Sequence, residues 1–457
     1  MNILSPFDQS KVGSIELENE IQLEQKIQCG KNLSAKFPQG LPKKDRIEIL
    51  SRLIDLMKKQ IEKLAVLAAS EGGKPIADSR VEVLRAINGV ELSRDYIEQI
   101  SGTEIPMNLN AASQNRSAYT LKEPIGLVVA ISAFNHPLNL IVHQVVTAFA
   151  AGCPVIVKPD LRTPLSCLRL LELMTEAGVP NGWCQSFICE NQLAEKLACD
   201  SRVNFMSFIG SAKIGWYLRS KLSPGTRCAL EHGGLAPVIV DADADFTAMI
   251  PALAKGSFYH AGQVCVSTQR IYVHQSIVEK FCAELKIVAE KMKVGNQLLE
   301  ETEVGPIISK QEIQRIDQWV KEAIEEGAAL ITGGETILES CYKPTILLNP
   351  SEKSKISTHE IFGPVVAIYT YQNVDEAIQK ANNTVYHFQA SVFSKNTTNA
   401  LEIANQLNAS AVMINDHTAF RVDWMPFAGR DQSGLGVGGI KYSIQDLLQD
   451  KLIVMKN

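Results

Sequence analysis

From Ile125 onward, short runs rich in Val, Ile and Phe alternate with stretches of helical periodicity, and few folds accommodate that order. The pattern predicts strands at 127–131, 155–157, 186–188 and 203–208, with helices near 138–151, 164–177, 191–199 and 211–222 between them. Strands that return to one sheet in parallel need a crossover of a dozen or more residues, which a helix supplies. The reading is therefore βαβ units around a parallel sheet, for which a dinucleotide-binding fold is the natural candidate. After Gly233 a second series begins, with strands near 237–240, 269–273, 366–371, 390–393 and 411–414. Its helices lie near 276–292, 309–326, 374–383 and 397–407, giving two closely apposed α/β units. Ahead of both, residues 41–100 read as two amphipathic helices, carried by Ile47, Leu50, Leu53, Ile54, Met57 and Ile61 and broken at Gly72-Gly73. Ala118 to Leu121 reads as an edge strand.

Composition narrows the functional classes. The chain has 457 residues, 46% hydrophobic and 21% charged, enough apolar material for the cores of about two to four domains. A formal charge of -5 without a basic block excludes nucleic-acid binding on electrostatic grounds. Met1 to Gly13 is polar and carries Asp8, and the longest apolar stretch, 138–157, is interrupted by Asn139, His143, Gln144 and Pro154. Neither a secretory signal nor a membrane span is expected, and a cytoplasmic protein is. No pair among the ten cysteines has C-x-x-C spacing, so free thiols and no metal site are expected.

Several local patterns can carry chemistry. In Gly262-Gln263-Val264-Cys265, a glycine turn precedes a Cys and a strand follows, which presents a thiol at a strand entrance; an inert buried Cys fits the same letters. Glu231, before Gly233-Gly234, is placed to act as a general base for water or to sit at a surface turn. Asn135, between Phe134 and His136-Pro137, ends a strand, where its amide can stabilise an oxyanion or cap the next helix. Lys158-Pro159 follows a strand, and Gly210-Ser211 precedes a helix whose free N–H groups favour an anion. As plain structure these are a solvated strand end and a capped turn. Gly434-Leu435-Gly436-Val437-Gly438-Gly439 fits G-x-G-x-x-G, but too little chain follows for a βαβ unit, so it reads as a loop.

Together with Glu360-Ile361-Phe362-Gly363-Pro364 and the tail Pro426-Phe427-Ala428-Gly429…Ser433-Gly434-Leu435-Gly436, these motifs stand in the order found in the aldehyde dehydrogenase superfamily, which the chain resembles over nearly its whole length. The resemblance implies an α/β fold: a Rossmann-like NAD(P)-binding domain (1–102 and 124–232), a Cys-bearing catalytic domain (233–433) and a small β oligomerisation element (103–123 and 434–457). It implies Cys265 as nucleophile, Asn135 with the Cys265 backbone N–H as oxyanion donors, and Glu231 as the base for the deacylating water. Cofactor contacts are implied for Ile131, Ser132, Lys158, Gly210, Ser211, Gly233, Glu360 and Phe362, and a homodimer or homotetramer is implied as the assembly.

Departures from the family pattern refine these expectations. Leu161 stands where NAD-preferring members often have Glu, flanked by Asp160, which could take over the ribose contact, and Arg162, which could attract a 2′-phosphate; NAD is expected, with NADP tolerated. His136, His232, His359-Glu360, Asn415-Asp416-His417 and Arg421-Val422-Asp423-Trp424 resemble the lactaldehyde- and phosphonoacetaldehyde-dehydrogenase-like subgroup. That suggests a small polar or anionic aldehyde held by Arg421 and His136, unless Arg421 merely pairs with Asp423 at the surface. The competing readings are an acylating, coenzyme A-dependent dehydrogenase and a non-catalytic protein reusing the fold.

Overall fold

In the computed structural model, which describes residues 1–456, the first series forms a six-stranded sheet. Its order is Gly434–Leu435, Arg227–Glu231, Phe205–Ile209, Val128–Ile131, Val155–Lys158 and Cys184–Ser186, parallel except for the first strand. Val128 to Ala130 and Val155 to Val157 are fully buried, the unbroken apolar runs that a sheet covered on both faces demands. Helices Lys43–Lys58, Ile76–Ile97 and Leu165–Glu176 pack one face, and Glu20–Lys36, Asn191–Cys199 and Ala212–Lys221 the other. Chain order runs outward in both directions from Val128–Ile131. The carboxyl ends of that strand and of Phe205–Ile209 therefore flank a topological switch point, where open α/β sheets bind ligands.

The second series forms a seven-stranded sheet in the order Ala329–Thr332, Thr345–Leu348, Val365–Tyr371, Arg270–His274, Pro237–Val240, Gln389–Phe393 and Ala411–Ile414, antiparallel only at its first strand. Among the described residues no helix is long and apolar enough to cross a membrane.

Several elements differ from expectation for identifiable reasons. Residues 41–100 hold three helices, Lys43–Lys58, Ile61–Gly72 and Ile76–Ile97. The chain turns at Lys59-Gln60 without Gly or Pro, so the periodicity reads straight through. Helix Glu20–Lys36 buries little beyond Leu23, Ile27 and Gly30, too thin a stripe to register, and Phe246–Phe258 carries Pro251 inside a mostly apolar run. Ala118 to Leu121 is not an edge. It lies within Arg116–Pro124, the middle strand of a three-stranded sheet between Leu448–Lys456 and Glu104–Ile105, and its polarity reflects solvent on the sheet faces. In the glycine-rich tail, Gly434–Leu435 pairs with Leu230–Glu231, and Gly439 caps helix Ile440–Asp446.

Candidate active site

Cys265 is reached through a strained turn. After helix Phe246–Phe258 the chain passes His260, Ala261 and Gly262 at φ 49, 52 and 69. Left-handed backbone is costly for the first two, and a Cβ on Gly262 would stand 2.0 Å from the Gly363 carbonyl oxygen. Buried Gln263 pins the turn: its Nε2 donates to the Pro306 carbonyl at 3.2 Å and its Oε1 accepts from the Ile308 N–H at 3.0 Å. Asn135 Nδ2 donates to the Gln263 carbonyl at 3.0 Å, tying the two predicted loops together and leaving its second N–H uncommitted. Cys265 Sγ lies 3.9 Å from Glu231 Oε1, and the Gly234 N–H donates to the Cys265 carbonyl at 3.1 Å. Burial and the neighbouring Glu231 push the Cys265 thiol well above its ordinary value, and the Arg421 charge opposes them. Burial likewise raises Glu231, against Arg421.

These three residues line one cavity of about 490 Å³. On one side of it stand Ile131, Ser132 and Lys158 at strand ends, and Gly210 and Ser211 ahead of helix Ala212–Lys221. The Lys158 ammonium bonds to no described residue, and the Ser132 hydroxyl is buried without a partner. His232 Nδ1 lies 2.9 Å from the Gly210 carbonyl and steadies that turn. Gly233 and Glu360 interlock: a Cβ on Gly233 would sit 1.7 Å from Glu360 Oε1, which has no partner. Burial pushes the Glu360 carboxyl up to about 8, with Arg315 pulling the other way. Phe362, at φ 51, meets Phe134 edge-to-face at 5.7 Å.

His136 and Arg421 also line the cavity. The Arg421 guanidinium lies 3.6 Å from the Phe427 ring centroid and makes no hydrogen bond to a described residue, and its Nε is buried. The expected alternative, a surface pair with Asp423, does not occur, because Asp423 is 2% exposed and bonds Arg85 instead. Asp160 is not free for a ribose either, since it holds Arg162 through Nε at 2.9 Å and Nη2 at 2.8 Å. Leu161 packs into a small apolar cluster with Ile3, Ile15 and Ile188.

The cavity-lining residues that sequence reasoning missed include two arginines, Arg85 and Arg315. Arg315 bonds Glu312 at 2.7 Å and the Ile361 carbonyl at 2.6 Å, leaving Nη1 buried without a partner. Each lies in an ordinary amphipathic helix, and nothing local marks it.

A model of the aldehyde dehydrogenase family matches residues 1–453. The chain is 37% identical to a 3-sulfolactaldehyde dehydrogenase of Priestia megaterium, covering 100% of this chain and 94% of the relative. It is 34% identical to a lactaldehyde dehydrogenase of Methanocaldococcus jannaschii, covering 100% and 97%. Among solved structures, a glyceraldehyde-3-phosphate dehydrogenase of Methanocaldococcus jannaschii complexed with NADP superposes with a TM-score of 0.95 at 33% identity, covering 100% and 99%.

Proposed function

The chain belongs to the aldehyde dehydrogenase family, and from that premise we propose that it oxidises a small anionic aldehyde to the acid with NAD(P), through a thioester on Cys265. The observation that carries this reading is the 3.9 Å approach of Glu231 Oε1 to Cys265 Sγ beside the Asn135 amide. A nucleophile, a base and an oxyanion donor from three distant segments meet at one cavity wall.

The residues present fit a dinucleotide. Lys158 offers a free ammonium for a ribose, Gly210-Ser211 a helix N-terminus for the pyrophosphate, and partnerless Glu360 an acceptor for the second ribose, beside Phe362 and a Gly233 that leaves room. When bound, the nicotinamide supplies the hydride acceptor that turns a thiohemiacetal into a thioester. With Leu161 turned into an apolar cluster, no carboxylate stands at that position to repel a 2′-phosphate, so both NAD and NADP are accepted.

The chain's own residues do the rest. The raised Cys265 thiol needs a base within reach, and Glu231 takes its proton as the sulfur attacks the aldehyde carbon. The oxyanion is met by the Asn135 amide and the Cys265 backbone N–H. Once it has shed that proton, Glu231 takes another from the water that attacks the thioester; the C–S bond breaks and Cys265 leaves as thiolate. Arg421, stacked and hydrogen-bonded to no described residue, awaits an anion on the substrate, with His136 beside it. The relative acting on 3-sulfolactaldehyde is consistent with such a substrate.

A carboxylate near the sulfur favours water over coenzyme A as acyl acceptor. The test is a panel of small anionic and neutral aldehydes with NAD and NADP, read as reduced-nicotinamide absorbance, with and without coenzyme A. No turnover of any aldehyde, or turnover only with coenzyme A, overturns the reading.

We also read the three-stranded sheet as an assembly surface. Leu448–Lys456 has one unpaired edge and exposes Leu452, Val454 and Met455, a liability that a second copy removes. A concentration-independent monomer mass overturns a homodimer or homotetramer. Ten unpaired cysteines support a reducing compartment such as the cytoplasm.

A further inference from the structure

Lys74 and Glu82 form an ion pair whose side chains are 1% and 0% exposed, and no step of the proposed reaction uses either. Lys74 follows helix Ile61–Gly72, and Glu82 lies in helix Ile76–Ile97. Lys74 Nζ donates to Glu82 Oε2 at 2.5 Å, and the other oxygen, Oε1, accepts from the backbone N–H groups of Leu138 at 2.9 Å and Asn139 at 3.0 Å. Removing two charges from water is costly, so a pair kept at this depth needs its hydrogen bonds complete. Here the completing donors belong to the segment that carries Asn135.

That segment cannot fasten its own start. Asn139 begins a helical run that continues to Ala151, Leu138 at its cap position has no side-chain acceptor, and Pro137 has no N–H. Glu82 supplies, from a neighbouring helix, the acceptor that a local Ser or Asp would give, at the end of the run where the helix dipole favours negative charge. Only His136 and Pro137 separate Leu138 from Asn135, and the Pro137 ring fixes one of the intervening torsions. On its other side Asn135 is tied through Nδ2 to the Gln263 carbonyl. The uncommitted N–H of Asn135 thus hangs between two anchors, one on the Cys265 turn and one on Glu82. We propose that Glu82, held by Lys74, is a positioning residue for the Asn135 amide, fixing it where an oxyanion forms on the carbon that Cys265 attacks. This rests on the reading above that Asn135 meets that oxyanion. Glu71 offers a matched contrast: it caps helix Leu165–Glu176 through the N–H groups of Leu165 at 2.7 Å and Ser166 at 2.8 Å, away from Asn135.

The test needs neither cofactor nor aldehyde. With p-nitrophenyl acetate the Cys265 sulfur attacks the ester carbon, the tetrahedral oxyanion faces the same amide, and the C–O bond breaks to release p-nitrophenolate. The first-turnover burst of the full-length protein reads this acylation, with the Cys265→Ser background subtracted and the adduct located on Cys265 by peptide mass spectrometry. Asn135→Ala lowers the burst rate about 10²–10³-fold. Glu82→Gln removes the charge that holds Lys74 and sets an N–H₂ group against its ammonium. It lowers the rate about tenfold when Asn135 is present and less than about twofold in the Asn135→Ala background. Glu82→Asp, which keeps the charge and shortens the reach, falls between, and Glu71→Gln stays within about twofold of the unsubstituted protein. A merely structural cap would lower the melting temperature but leave the burst alone, or slow it equally in both Asn135 backgrounds; either result overturns the proposal, and so does an equal fall in Glu71→Gln. If Glu82→Gln does not fold, Glu82→Asp in the same two backgrounds decides. Failure of the broader reading looks different, because Asn135→Ala itself would then leave the burst unchanged.

Discussion

Around Lys158, Gly210 and Gly233 the cavity wall is largely backbone: strand ends, a helix N-terminus and a glycine whose missing Cβ makes room for Glu360. Around Arg421 and Arg85 it is side chains, drawn from elements far apart in the chain and held by ion pairs and ring stacking. On the proposed function the first construction recognises what is constant, a dinucleotide, through features hard to alter without breaking the sheet. On the proposed function the second recognises what varies, the far end of an aldehyde, through charges that substitution can exchange. Between the two stands the Cys265–Glu231–Asn135 group, which depends on both. The difference implies that changes in the backbone wall act sterically on cofactor affinity, whereas changes in the side-chain wall act electrostatically on substrate choice.

The largest effects should fall between the walls and leave both intact. Cys265→Ser is expected to lower reduced-nicotinamide formation by about four orders of magnitude, with cofactor binding retained in a fluorescence titration. Glu231→Gln should lower steady-state turnover by about 10²–10⁴-fold, yet leave a slowed first-turnover burst and an acyl adduct on Cys265 visible by mass spectrometry. Loss of the burst with no adduct would show that Glu231 serves thiol activation alone.

How much of this was legible in the sequence follows the same division. The backbone wall is written locally: β-branched runs mark the strands, and Lys158, Gly210-Ser211 and Gly233 each sit where a strand ends or a helix begins, with all of them lining the cavity. Asn135, Glu231 and Cys265 are also marked by their neighbours, through Pro137, Gly233-Gly234 and Gly262. The side-chain wall is not. Arg85 occupies a helical position like that of any half-exposed arginine, and its partner Asp423 is 338 residues away. Proximity in sequence suggested Arg421 as that partner, but the loop turns Asp423 inward and Arg421 onto Phe427. Lys59-Gln60 shows the same limit in the helices, since a turn without a breaker residue leaves no mark.

Breaking the side-chain wall should change selection rather than chemistry. Arg421→Gln is expected to raise the apparent KM for an anionic aldehyde about 10–100-fold, and that for a neutral aldehyde of equal size far less. Equal rises would mean that Arg421 supports the loop through Phe427 and recognises nothing. Breaking the backbone wall should do the converse. In Gly233→Ala the new Cβ meets Glu360 Oε1, and the Kd for NADH and NADPH should rise about tenfold through the strain of making room, with the aldehyde KM little altered.

The smallest effect tests whether the backbone wall is as closed as Gly233 and Glu360 suggest. The Glu360 carboxyl is pushed up to about 8 by burial, whereas in the unfolded chain it titrates in the ordinary carboxylate range. The folded protein therefore keeps a proton that the unfolded chain releases. The associated stability is fully present at acid pH, below the unfolded value, and is lost as pH rises through about 8. Glu71, buried and raised to about 7, adds to the same trend, so removing Glu360 flattens the slope without abolishing it. Between pH 5 and 8.5 the melting temperature of the cofactor-free protein should fall more than that of Glu360→Gln, by roughly 1–2 °C. Parallel slopes would mean that Glu360 titrates as though in water, and the pocket beside Gly233 would then be open to solvent before any dinucleotide arrives.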